Sequence, residues 1–441
     1  MRRKAMFNAG LLALVLALSA ASVVTAQVTG LYYHEVEKDG RIYVFNTPEK
    51  FQSWEQTGDM GVAITLIGRG PNGETVVAEN ETAADLYFFK HNLPGYDRPT
   101  PKPSAPGFTV DWKDGKTTIT SKNASLVISN RGQIRFTEQM PEVGDDRGSF
   151  RIRRFKTKFE GWVYTKDLTY ELQLNWPDTA NPLEDAVVNY DFTKGKKEFQ
   201  LKAGQYKVPF GRQELTSSGN QQFVDRSAVS NTFARGRDIG IQAWGTPLGG
   251  KLDWRVGAFN GNGRTVSSND NTKFQYDARV TFQPFGDVKY SESDFESTDR
   301  PLFAIAGQWE SNNRHGATTN NDVDREIVGG DLSFKFKGFS LFGELFEASD
   351  EPETGADLDL SGFNLQAGYF ILRNKLEIAA RLAELDPNDE ISNNEQEERG
   401  VALNYFWNKH AHKLQLDYRQ LENKATNRTD DEVRLQYQVI F

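Results

Sequence analysis

The chain has no cysteine among its 441 residues and only five histidines. Without thiols there is no disulfide framework, no thiolate nucleophile and no cysteine-bound metal. The histidines are His34, His91, His315, His410 and His412. His315 stands between Arg314 and Gly316 with no nucleophile motif near it. His410 and His412 are two apart at a turn and fall short of a metal's ligand count, so they read as a polar turn. The acid clusters Asp386–Glu390 and Glu395–Glu398 lack the spacing of a calcium loop and read as solvated charge. These shortages argue against a hydrolase and leave no cofactor or metal to expect.

A long apolar run is missing as well. Arg2, Arg3 and Lys4 followed by Leu11–Leu18 and the small residues Val24-Thr25-Ala26 make an export leader over 1–26. Nothing later approaches the length of a membrane-spanning helix. The exported chain is therefore soluble or crosses a membrane as a closed barrel, the only other form that pairs every backbone group in lipid. Removing the leader takes three basic groups and no acid, so the net charge of −9 becomes −12. No nucleic-acid partner is expected for such a chain.

Residues 27–93 read as a small α+β domain. Leu31–Val36 and Arg41–Phe45 form a hairpin around Lys38-Asp39-Gly40. Thr47-Pro48 starts a helix with Thr as N-cap. Ala63–Ile67 and Glu74–Ala78 flank the turn Pro71-Asn72-Gly73, and Thr82–His91 reads as a second helix. A Pro-rich linker over 94–116 follows, of the extended and semi-rigid kind.

From 117 to 441 short alternating strands recur. Val433, Leu435, Tyr437, Val439 and Phe441 share one face, and Glu432, Arg434, Gln436 and Gln438 the other. Leu168, Tyr170, Leu172, Leu174 and Trp176 repeat the pattern. Tight connections alternate with long polar ones, as in outer-membrane barrels with short periplasmic turns and long outer loops. Phe285–Arg300 breaks that rule by being long where a short turn is due. Aromatics such as Trp162, Trp176, Trp244, Trp309 and Trp407 gather at strand ends, as interfacial girdles require. The expected fold is all-β: a 16-stranded antiparallel transmembrane β-barrel, in contact with outer-membrane lipid, with a small N-terminal α+β periplasmic domain.

The longest loop, Lys207–Ala234, is the third outer one. Phe210, Leu215, Phe223, Val229 and Phe233 punctuate it, so it needs a wall to pack on and is expected to fold inward and narrow the passage. Basic residues concentrate nearby. The strand Phe150–Phe159 holds Arg151, Arg153, Arg154, Lys156 and Lys158 and no acid but the Glu160 that follows it. Phe150 and Ile152 have one parity, Phe155 and Phe159 the other, so a bulge near Arg153 is needed to keep most bases inward. Around the loop stand Lys202, Lys207, Arg212, Arg226, Arg235 and Arg237 against Glu214 and Asp225. Charge on the lipid face costs roughly 2–4 kcal/mol at mid-membrane, which sends these groups inward or to the rim. Arginine there suits bidentate capture of phosphate or carboxylate. The competing reading pairs them with lumen acids such as Glu171 and Glu198. A weakly anion-selective channel for small anionic solutes follows from the first reading. Another is an outer-membrane anchoring or binding protein whose N-terminal domain grips cell wall or a periplasmic partner.

The motifs Phe150-Arg151-Ile152-Arg153-Arg154-Phe155 with Phe159-Glu160-Gly161, then Leu201–Gly211, Arg237-Asp238-Ile239-Gly240-Ile241 and Val256–Gly261, with a terminal Phe441, resemble the phosphate-selective porin O and P family. The resemblance begins near Thr117 and implies a homotrimeric sixteen-stranded porin with an inward third loop and basic residues on the path of phosphate-like solutes. The last strand ending in Phe441 also resembles the signal read by the outer-membrane assembly machinery.

Overall fold

Period-two alternation dominates the structure from Phe108 onward. The computed structural model describes residues 31–95, 107–266, 268–315 and 321–441. The leader, most of the Pro-rich run and part of the loop after Asn313 lie outside them. The chain divides into two units, 1–103 and 104–441.

In the first unit, strands β1 (His34–Lys38) and β2 (Arg41–Phe45) form a hairpin. Asp39 and Gly40 both take positive φ, 53° and 72°, as a two-residue turn of the favoured hand requires. β3 (Ile64–Leu66) and β4 (Thr75–Ala78) complete a sheet ordered β1-β2-β4-β3, with β2 and β4 parallel. Helix α1 (Pro48–Thr57) starts after Thr47, but Thr47 Oγ1 donates to Glu79 Oε1 at 2.7 Å instead of capping its own helix. Helix α2 (Glu81–Lys90) is capped by Asn80, two residues before the start read from sequence. Val44, Val76, Ala84, Tyr87 and Phe88 form the core between sheet and α2.

Glu35 on β1 accepts from Lys90 Nζ at 2.8 Å, meets His91 Nε2 at 2.9 Å, and accepts from Tyr33. Burial opposes its ionisation, but these partners outweigh it and hold the carboxyl down at about 2. A depressed folded value means the pairing stabilises the domain above pH 4.5 and is lost as pH falls toward about 2. Amide-exchange protection of α2 in the full chain should differ between native and Glu35→Gln proteins at pH 4.5, and the difference should vanish near pH 2. A difference independent of pH would contradict the pairing.

The second unit opens with a hairpin, β5 (Phe108–Lys113) and β6 (Lys116–Ser121), turned at Asp114-Gly115. It straddles position 116, where linker gives way to barrel in the sequence reading. β6 pairs with the first half of β7 (Ala124–Met140), whose second half pairs with β22 (Arg428–Ile440) and closes the ring. Counting from β7 to β22 gives sixteen strands, each antiparallel to its neighbours. In order they are β8 (Arg147–Val163), β9 (Leu168–Asn175), β10 (Leu183–Asp191), β11 (Gln200–Lys207), β12 (Arg237–Gly245), β13 (Leu252–Phe259), β14 (Gln275–Phe282), β15 (Leu302–Arg314), β16 (Val323–Phe336), β17 (Phe339–Pro352), β18 (Leu358–Leu372), β19 (Leu376–Asp386), β20 (Gln396–Asn408), β21 (His412–Asn423) and β22.

The faces are those of a barrel in lipid. Val256, Val280, Ile305, Leu382 and Val401 are about half exposed on the outside. Arg135, Gln415, Arg434, Gln436 and Gln438 are fully buried inside. A soluble sheet would invert that arrangement, and a hydrocarbon surround requires it. Because the ring closes through β22 and β7, no barrel strand lacks a neighbour on either side.

Candidate functional site

The interior is filled unequally, and the third loop is the reason. Residues 208–236 leave β11, form the short helices α3 (Arg212–Leu215) and α4 (Ala228–Phe233), and return through β12. Phe210 and Phe233 pack against Phe346 of β17, with Ile327, Leu360 and Leu385 around them. Phe223 packs on Ala379 and Ala402 under the Arg381 guanidinium, 4.2 Å from its ring. Each buried phenyl ring contributes about 1.5–3 kcal/mol to holding the loop. Small wall residues make room: a Cβ on Gly368 would lie 1.9 Å from Gln222 Nε2.

Carboxylates on the far wall hold the loop's backbone. Glu344 accepts from Gln213 N–H at 2.9 Å, Asp417 from Val224 N–H at 3.0 Å, and Glu398 from Ala228 N–H at 2.9 Å. On the loop's carbonyl side, Lys413 Nζ and Gln415 Nε2 donate to Gln221 O at 2.9 and 3.1 Å. The long connection 283–301, the exception to the turn rule, also runs inside. Its Glu292 accepts from Gln222 N–H at 2.7 Å, and its Val288 carbonyl accepts from Arg212 Nη2 at 2.6 Å. These contacts occupy the β17–β21 side and engage Glu344, Asp417 and Glu398, the last two of which also pair with Arg434 and Arg381.

The open space lies on the other side, a cavity of about 750 Å³ between the third loop and β7–β13. Eleven basic side chains line it against five acidic ones, a formal excess of six positive charges. The strand reading at Phe150–Phe159 is resolved by a bulge at Arg153: Gln133 pairs with Arg154 while Ile134 pairs with Ile152. Arg154 and Lys156 are therefore buried on the inward face, and Arg153 and Lys158 line the cavity with them. Lys202, Lys207, Arg226 and Arg237 line it too.

Three of the residues singled out from sequence sit elsewhere. Arg151 faces inward opposite Arg135 but is exposed, outside the cavity lining. Arg212 stacks on Tyr290 at 4.7 Å and binds the 283–301 connection. Arg235 pairs with Asp238 at 3.5 Å. Arg131, Arg255 and Arg264 line the cavity and were not singled out. Arg255 was readable, since outward Trp254 and Val256 put it inward by parity.

Many of the bases have acid partners, as the competing reading expects, although not Glu198. Lys158 meets Glu171 at 3.1 Å, Arg237 meets Asp185 at 2.8 Å, Arg226 meets Glu214 at 2.9 Å, and Lys156 meets Glu184. Asp225 of the loop gathers Arg135, Arg153 at 3.4 Å, Arg154 at 3.6 Å and Arg434 at 3.7 Å. Burial opposes its ionisation, yet the Arg135 hydrogen bond and the surrounding charge hold its carboxyl well below the usual range. Lys202 has no carboxylate within ion-pair distance among the described residues and sits over the rings of Tyr206 and Trp244 at 4.9 and 5.3 Å. Arg131 donates only to Ser217 and Ser218 hydroxyls, at 2.8 and 3.2 Å, among the described residues.

Comparison with known proteins agrees with this architecture. An uncharacterised protein of Aquifex aeolicus is 23% identical over 373 residues, covering 73% of this chain and 89% of that one. The anion-selective porin from Comamonas acidovorans superposes with a TM-score of 0.55 at 14% identity, over 72% of this chain and all of that one. The outer-membrane channel DcaP of Acinetobacter baumannii gives 0.54 at 12% identity, over 73% and 99%. At such identities the two structures speak to the fold. Residues 131–441 match phosphate-selective porin O and P throughout, and with its closed sixteen-stranded barrel the chain belongs to that family of outer-membrane channels.

Proposed function

We propose that the barrel conducts small anionic solutes, phosphate-like ones included, through the basic cavity, and that the third loop over 207–234 is its constriction. The supporting observation is the uneven placement of charge. An acidic chain directs acids of β17–β21 to the loop backbone and leaves eleven bases against five acids beside the open space. A narrow wet passage in a low-dielectric wall is governed by such local charge, and acids in the outer loops are screened within about 8 Å at physiological salt. No catalytic constellation enters this reading. The barrel rests in outer-membrane lipid after delivery by the outer-membrane assembly machinery, and family membership favours a homotrimer. The chain enters the barrel at its short-turn end, which favours a periplasmic N-terminal domain.

Zero-current potentials in a salt gradient test the assignment residue by residue. Arg154→Glu and Lys202→Glu should each shift the potential toward cation preference. Arg235→Glu, outside the cavity lining, should shift it much less. Equal shifts from all three would contradict the proposed path.

A further inference from the structure

Strands β14 and β15 carry a group of oxygen-bearing side chains on their inward face that the permeation path does not use. Asp277 stands directly across from Glu310. Gln275 and Asn312 continue that inward face two residues nearer the outer end. Side chains so paired have Cβ atoms about 4.5–5.5 Å apart. All four are at most 2% exposed.

Their hydrogen bonding is incomplete in one direction only. Gln275 Nε2 donates to Asp277 Oδ2 at 2.9 Å, and Asn312 Nδ2 donates to Gly261 O at 3.2 Å. The oxygens are left over. Gln275 Oε1, Asp277 Oδ1, both Glu310 carboxylate oxygens and Asn312 Oδ1 are buried without a donor. Asn262, next in the chain to the Gly261 whose carbonyl Asn312 binds, also carries a buried and unpartnered Oδ1. Gly261 brings the loop over 260–274 in close: its φ is 83°, and a Cβ there would lie 2.3 Å from Asn312 Oδ1.

The nearby cations do not answer these oxygens. Arg235 is held by Asp238 at 3.5 Å and Arg325 by Asp350 at 3.3 Å. Arg314 also acts on Glu310 electrostatically, yet no guanidinium of the described residues hydrogen-bonds it. Two facing buried carboxylates repel each other, and the three arginines that act on Glu310 leave both its oxygens without a hydrogen bond. No three His, Cys, Asp or Glu side chains converge on a metal among the described residues, so a metal here must draw on amide oxygens. An all-oxygen set of carboxylates and amide carbonyls suits a hard cation, and calcium accepts about six to eight such oxygens.

We infer that Gln275, Asp277, Glu310 and Asn312, with Asn262 from the loop, form a calcium-type divalent-cation site that fastens the loop over 260–274 to the barrel wall. Full-length protein in detergent, stripped with EDTA and titrated with CaCl₂, tests this by calorimetry and thermal unfolding. A binding heat and a transition raised by several degrees are expected, since a ligand bound only by the folded state stabilises it by mass action. Glu310→Gln and Asp277→Asn should each abolish both responses. In EDTA Asp277→Asn should unfold at or above the native temperature, because it removes one of two repelling charges. No calcium response in the native protein would overturn the site and leave the two carboxylates sharing a proton. A native-sized response in both variants would overturn it too, placing calcium on the outer-loop acids.

Discussion

Deleting residues 217–230 should raise single-channel conductance by at least about twofold, because sixteen strands alone enclose an aqueous channel. The segment crosses the interior from Arg131 to the far wall, where Phe223 and Val229 are buried and Val224 and Ala228 donate to Asp417 and Glu398. None of it belongs to the strand ladder, so the closed barrel keeps its backbone pairing without it. The same deletion should weaken anion preference, since Asp225 and Arg226 leave together and the remaining bases face a wider, better screened passage. An unchanged conductance would place the constriction elsewhere.

Replacing Asp225 by Ala should loosen that loop without cutting it. Its carboxylate balances Arg135, which is fully buried, and stands within 4 Å of Arg153, Arg154 and Arg434. Removing one partner of a buried ion pair costs about 3–5 kcal/mol, mostly from the charge left behind. The loss falls on the loop, since the barrel's own ladder is untouched. Limited proteolysis should cut the variant within 208–236 at protease levels that leave the native protein intact, while gel mobility of the unheated barrel stays the same. Native resistance in the variant would mean that the hydrophobic anchors Phe210, Phe223 and Phe233 suffice alone.

How far the sequence carried this account depends on the range of the interactions involved. Strand faces are local, and period two exposed them: the parity conflict between Ile152 and Phe155 located the Arg153 bulge, and four of the five apolar residues singled out in the third loop meet the wall, while Leu215 lines the cavity. Caps were less legible, because Thr47 had a stronger partner in Glu79 than its own helix offered. The hairpin at Phe108–Ser121 was missed because its first strand, Phe108–Lys113, follows directly on a Pro-rich run. The connection over 283–301 stood out by length, but its destination depended on contacts with Arg212 and Gln222, some 70 residues away. The fate of the acids was illegible for the same reason. Which carboxylates are consumed by loop backbone is decided across the barrel, between residues 131 to 193 positions apart. The net charge of −9 was therefore no guide to the lining, whose basic excess the local runs of arginine and lysine did indicate.

The most direct test of the central claim is the zero-current potential of the unmutated protein in a planar bilayer with a tenfold potassium chloride gradient. A basic cavity with six excess positive charges predicts the sign produced by chloride crossing faster than potassium. The opposite sign would contradict it.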